Sequence, residues 1–288
     1  MGQNDNIGHG KRRPPPARHA DPYGKRPDSA ENEDERATGV IEGRNAVIEA
    51  LRAGITIDKV FIARGETDAT LRYVASAARE AGAAVVDADR RKLDAMSVTH
   101  AHQGVIAQAA CVEYATIGDI LDIARNKNEA PLIVVCDEIA DPHNLGAVIR
   151  TCEAAGAHGV IIPKRRSAGL TAAVAKASSG AVYYMAIARV TNLTSAIAEL
   201  KKNGVWVFGA STDGKTPLWE SDLAIPAAIV IGSEGVGINR LVSEKCDFSI
   251  RIPMLGRISS LNASVSAAVL MYEAVRQRRE ATGVRVES

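Results

Sequence analysis

Residues 131–150 read PLIVVCDEIADPHNLGAVIR, and this stretch decides the architecture. The apolar run 132–136 is strand-sized and lacks polar alternation, the pattern of a strand buried on both faces of a parallel sheet. Polar residues follow at once: Asp137, Glu138, then Asp141-Pro142-His143-Asn144. Leu145, Val148, Ile149 and Cys152 then repeat at helical spacing, and Gly156 suits the end of that helix. Asn144 is expected to cap it, and Arg150 falls off its apolar stripe.

The same alternation recurs downstream. Strands are expected at 132–136, 159–162, 183–190, 205–210, 228–232 and 248–252, and helices at 145–155, 170–178, 193–203, 239–245 and 262–278. This predicts an α/β domain over 131–288, built on a mainly parallel sheet with helices on both faces. Upstream, residues 38–112 read as a small mixed α/β unit. Its helices are expected at 44–53, 71–81 and 90–96, and its strands at 59–63, 84–86 and 104–111. Residues 113–130 contain a short expected helix, 117–124, and a polar run, and read as a linker. Residues 1–37 hold Pro14-Pro15-Pro16, a basic block and then an acidic one, with almost no large apolar residue. Such a segment buries too little surface to offset its ordering entropy, so a disordered tail is expected.

Composition narrows the function classes. The chain has 288 residues, enough for two domains, and no apolar run near the roughly 20 residues that span a bilayer. No membrane partner is expected, and no signal peptide is evident. Cys111, Cys136, Cys152 and Cys246 form no Cys-x-x-Cys pair and lie in apolar patterns, so they read as buried thiols in a reducing cytoplasm. Net charge is +1, so any nucleic-acid footprint must be a local patch.

No dinucleotide fingerprint, Walker loop, nucleophile elbow or metal-spaced histidine pair occurs. Three polar clusters remain, each just after an expected strand. The first is 137–150. The second, Gly232-Ser233-Glu234-Gly235-Val236-Gly237, sets glycines around one carboxylate, which lets backbone approach a ligand closely. The third runs from Ile252-Pro253-Met254-Leu255-Gly256-Arg257 to Ser260-Leu261-Asn262-Ala263-Ser264, where Ser260 or Asn262 can cap the last helix. Open α/β sheets bind ligands at the carboxyl ends of their strands, where all three clusters fall.

In order and spacing, these three motifs resemble the SpoU (TrmH) family of RNA 2′-O-ribose methyltransferases over residues 132–279. The segments Gly43-Arg44-Asn45-Ala46-Val47 and His102-Gln103-Gly104-Val105 resemble the small substrate-binding domain of the branch that methylates a guanosine in 23S rRNA. The third motif departs slightly, with Ala263 where valine is common. The resemblance implies a trefoil-knotted SPOUT-type domain preceded by an L30e-like substrate-binding domain. It also implies a homodimer with its active site near the subunit interface, S-adenosyl-L-methionine as cofactor, and no metal. Asn144, Arg150, Glu234, Ser260 and Asn262 are the implied catalytic residues. Ala210, Ser211, Gly232, Ile252, Met254 and Leu261 are the implied cofactor-binding residues. A free-base role is costly for an arginine, so Arg150 is expected to hold a phosphate and stabilise alkoxide charge, with the base left open. RNA contacts are expected from Arg150, Arg257 and Lys164-Arg165-Arg166. The implied substrate is structured RNA, 23S rRNA foremost; a tRNA methyltransferase and a catalytically silent RNA-binding assembly factor are the alternatives.

Overall fold

The computed structural model describes Met1 and residues 39–65, 68–97 and 99–282. The expected tail, Met1 aside, lies outside the described residues. In the N-terminal unit β1 (Val40–Glu42), β2 (Ile57–Ala63), β3 (Ala84–Ala88) and β4 (Val105–Ala109) lie in the order β1-β4-β2-β3. β4 is antiparallel to both neighbours, and β3 is parallel to β2. Helices α1 (Arg44–Arg52) and α2 (Ala69–Glu80) press Val47, Leu71 and Val74 onto Val60, Ile62 and Val105. On the other face α3 (Arg90–Met96) packs Leu93 against Phe61 and Ile106.

The segment expected to be a linker holds helix α4 (Ile117–Lys127), opened by a capping box between Thr116 and Asp119. It is not a free connector: Ile117, Ile120 and Leu121 are buried against the second sheet. That sheet contains β5 (Leu132–Asp137), β6 (Gly159–Pro163), β7 (Ile187–Val190), β8 (Trp206–Ala210), β9 (Thr216–Pro217), β10 (Ala227–Gly232) and β11 (Phe248–Arg251). Their order is β7-β6-β5-β10-β8-β11-β9, and every pairing is parallel.

Alternate residues of each strand serve opposite layers, as the two-residue period of a strand requires. Leu132, Val134 and Cys136 meet α5 (Pro142–Ala154) and α9 (Ala263–Thr282) through Leu145, Ile149, Leu270 and Met271. Ile133 and Val135 face α4 and α7 (Leu193–Lys202). Two short helices, α6 (Ala172–Ala177) and α8 (Arg240–Ser243), complete the layers. All four cysteines are free; Cys136 and Cys152 are buried, and Cys111 and Cys246 only partly. No helix of the described residues is long and apolar enough to cross a membrane.

One expected strand begins late. Residues 183–186 are not extended; a 3-10 turn, Ala181–Tyr183, precedes β7, and Tyr183 and Tyr184 are exposed. Their aromatic rings mimic strand propensity, but Gly180 at φ +85° starts a turn that strand pairing cannot enter. β1 and β9 carry too few residues to show any period.

Helices α5 and α6 touch at Gly146, where an added Cβ would lie 2.4 Å from the Cβ of Ala177. Gly146→Val is therefore expected to cost about 1–3 kcal/mol of stability by overpacking, read as a lower urea midpoint with unchanged slope.

Candidate functional site

The site is assembled by strand register. β5 and β10 are neighbours, and Gly232 pairs with Asp137, so the two strands end level. The loops that follow must therefore leave side by side. Asp137, buried at the end of β5, accepts the Asn239 N–H at 2.6 Å and ties the second loop down. Burial raises the Asp137 pKa, and the Asn239 hydrogen bond opposes that shift. β8 and β11 lie beyond β10, so their terminal loops border the same cleft.

Asn144 and Glu234 meet across the first two loops: Asn144 Nδ2 donates to Glu234 Oε1 at 2.9 Å. Asn262, at the start of α9, closes the triangle. Its Nδ2 donates to Asn144 Oδ1 at 2.9 Å and to Glu234 Oε1. Its Oδ1 accepts the N–H groups of Ser264 and Val265, so the same side chain also caps α9. Asn144 does not cap α5 as expected. Asp141 does so, accepting from the N–H groups of His143 and Asn144, with Pro142 in the first turn. A cap three residues earlier leaves the Asn144 side chain available for Glu234.

Beside the triangle is an open cavity of about 750 Å³. Ala210, Ser211, Gly232, Ile252, Met254 and Leu261 all line it, as do Glu234, Ser260 and Asn262. At Gly232 the backbone folds back so tightly that a Cβ would lie 2.0 Å from the Gly237 carbonyl carbon. Only glycine fits that crossing, and the wall it leaves is bare backbone.

Arg150 is not brought to the triangle. It is exposed on α5, outside the cavity lining, and its side chain makes no hydrogen bond or ion pair among the described residues. Of the basic loop, Arg166 is held by Glu138 at 2.9 Å, while Arg165 and Arg257 are exposed. The sequence reading missed Asp141 as the cap and Thr212 and Asp213 as cavity residues. The latter two follow β8 as a polar run, the signal that had marked the other three loops.

A parallel α/β sheet whose strand-end loops enclose a cavity and a polar triangle defines a ligand-binding α/β enzyme domain. Comparison with known proteins narrows the class. Residues 131–272 match the SpoU rRNA Methylase family, and residues 40–115 match the RNA 2′-O ribose methyltransferase substrate binding family. YacO of Bacillus subtilis (strain 168), assigned to the TrmH family of tRNA/rRNA methyltransferases, is 48% identical over 236 residues, 82% of this chain and 94% of the relative. A protein so assigned in Staphylococcus aureus (strain MSSA476) is 44% identical over 84% of this chain and 97% of its own length. Among solved structures, the SpoU methyltransferase AviRb from Streptomyces viridochromogenes, in complex with AdoMet, shares the fold. Its TM-score is 0.55 at 22% identity, covering 88% of this chain and 95% of that one. An AdoMet-bound rRNA methyltransferase from Sinorhizobium meliloti gives a TM-score of 0.52 at 25% identity, covering 86% and 90%. The chain belongs to the SpoU (TrmH) family of RNA methyltransferases.

The double duty of Asn262 separates two substitutions. Asn262→Ala removes the α9 cap and is expected to lose about 1 kcal/mol at every pH. Asn262→Asp keeps the cap but sets a second carboxylate against Glu234, and like charges raise the pKa of the pair. A raised carboxylate pKa stabilises the folded state below the unfolded value and loses that stabilisation as pH rises through the folded value. The aspartate variant is thus expected to match the wild type near pH 4 and fall below it by pH 7 in denaturant titrations.

Proposed function

We propose that the chain transfers the methyl group of S-adenosyl-L-methionine to a ribose 2′-oxygen of structured RNA, specifically a guanosine of 23S rRNA. The observation that carries this reading is the meeting of Asn144, Glu234 and Asn262, from three distant loops, at the rim of one backbone-lined cavity. The cavity suits the cofactor. Its volume is within the range of small-molecule sites, its bare glycine wall offers backbone hydrogen bonds, and Ile252, Met254 and Leu261 offer apolar contact. Ala210, Ser211 and Gly232 complete the cofactor set.

When bound, S-adenosylmethionine supplies a sulfonium-activated methyl group. The chain must then orient the ribose and remove its 2′-proton. Asn144 and Asn262 fix one oxygen of Glu234, leaving Oε2 without a partner among the described residues. We assign that oxygen the proton. Ser260 completes the polar lining. In this reading Arg150, exposed outside that lining, holds a phosphate and stabilises the developing alkoxide at the site of a second copy of the chain.

In this reading residues 38–112 bind RNA, 113–130 link the units while packing through α4, and 131–288 carry the chemistry. A trefoil knot, with the chain after Glu234 threaded through a loop, belongs to the same reading, as does action in the cytoplasm. So does a homodimer. Val265 and Tyr272 on α9 stay exposed while Ala267, Leu270 and Met271 cover the chain's own sheet, so an apolar stripe is left for a second copy.

Mapping 2′-O-methylation across total RNA with and without the gene tests the substrate. Loss of one guanosine methyl in 23S rRNA is expected; loss in tRNA alone would move the assignment. Calorimetric titration with S-adenosylmethionine separates an enzyme from a silent RNA-binding module, which would show no binding. Arg150→Ala is expected to lower turnover about 100-fold or more while leaving cofactor affinity intact. Full activity in that variant removes Arg150 from the mechanism.

A further inference from the structure

The two units meet at a buried polar seam that the methyl-transfer chemistry does not use. Asp58 on β2 is 1% exposed, and Arg189 on the edge strand β7 is 8% exposed at its side chain. The Arg189 guanidinium donates to Asp58 Oδ1 and, at 3.2–3.3 Å, to the carbonyls of Ile57, Asp58 and Gly82. It also lies over the Tyr114 ring, 4.3 Å from its centroid. The Tyr114 hydroxyl donates to Asp58 and accepts the Leu170 N–H at 3.2 Å. A single arginine from the second unit thus grips three backbone carbonyls and a carboxylate of the first.

This seam is a costly way to glue domains. Asp58 Oδ2 is buried without a hydrogen-bond partner, and a buried ion pair is often no more stabilising than an apolar pair of similar volume. Its directional bonds do something apolar contact does not: they admit one relative orientation.

The seam is also wired to the site. Lys59, next to Asp58, donates from Nζ to the Ser167 carbonyl at 2.9 Å. Ser167 Oγ and the Ala168 N–H both donate to the Ile139 carbonyl, at 3.2 and 2.9 Å. Two residues after Ile139 comes Asp141, the cap of α5, and then Asn144 of the triangle. Hydrogen bonds through the 167–168 strap thus connect β2 to the segment that leads into α5.

We propose that Asp58, Lys59 and Arg189 are positioning residues: they lock the RNA-binding unit in one orientation and, through that strap, hold Asn144 in register with Glu234 and Asn262. The proposal rests on the RNA methylation reading. Its test uses the full chain with Arg189→Met, Lys59→Met and the conservative Arg189→Lys, read by small-angle X-ray scattering, cofactor calorimetry and RNA methylation kinetics. Arg189→Met is expected to undock the units, seen as a larger radius of gyration. It is expected to lower kcat on RNA about 10- to 100-fold through misplacement. Its S-adenosylmethionine Kd stays within about twofold of wild type, because the cavity lies away from the seam. Arg189→Lys restores part of the turnover.

Unchanged RNA turnover in both methionine variants overturns the proposal, and so does a loss of cofactor affinity in step with turnover. If Arg189→Met does not fold, Lys59→Met, which cuts only the strap tie, decides on kcat and cofactor affinity. A wild-type chain that methylates no RNA defeats the functional reading instead, and scattering still reports whether the seam docks the two units.

Discussion

The backbone hydrogen bonds between β5 and β10 are the constraint on which the site depends. They set Gly232 beside Asp137, so two polar loops some ninety residues apart emerge as neighbours. That register is held from both faces. Ile133, Val134, Val135, Ala228, Ile229 and Val230 are all 0% exposed. A one-residue slip would turn every one of these side chains to the opposite layer. Both layers are buried, so a slip exposes none of them but sets each against the wrong neighbours, and such overpacking costs about 1–3 kcal/mol per site. The polar geometry is thus borrowed from apolar packing.

The triangle itself contributes little to stability. A hydrogen bond is worth about 1 kcal/mol net, and Glu234 and Asn262 are exposed to water that would satisfy them equally well. Its value is directional. Asn262 is fixed because its Oδ1 caps α9 while its Nδ2 serves the triangle, and α9 is anchored by Ala267, Leu270 and Met271 in the core. Asn144 is fixed because Asp141 caps α5 and Leu145 sinks beneath it. Core helices aim two amides, and the amides aim one carboxylate.

Much of this was legible in the sequence, and the limits were physical. Fully buried parallel strands show as unbroken apolar runs, so β5 and β10 were readable to within a residue. The three strand-end clusters declared themselves because polar residues abruptly followed such runs. The cap of α5 was misplaced because Asp141 and Asn144 are both good cap residues, and only Pro142 in the first turn distinguishes them. The helix inside the 113–130 segment is legible in the sequence, but what it packs on is not: Ile117, Ile120, Leu121 and Ala124 form a buried stripe on a polar segment. The Asp58–Arg189 seam left no signal at all. It joins single charged residues on two strands, 131 positions apart, and no local period reports such a partner.

Arg150 shows where one chain's geometry ends. An α-helix rises about 1.5 Å and turns about 100° per residue, so six residues carry Arg150 about 9 Å beyond Asn144 and away from its face. Val148, Ile149 and Cys152 are buried on the core side of α5, which leaves Arg150 facing outward. No rotamer change alters the side of the helix from which it departs. A guanidinium that acts on the ribose must therefore reach a surface other than its own triangle. The exposed Val265 and Tyr272 of α9, the helix packed beside α5, mark a face where a second copy can present one. In the proposed dimer, the positive charge and the carboxylate of one reaction would then come from different chains.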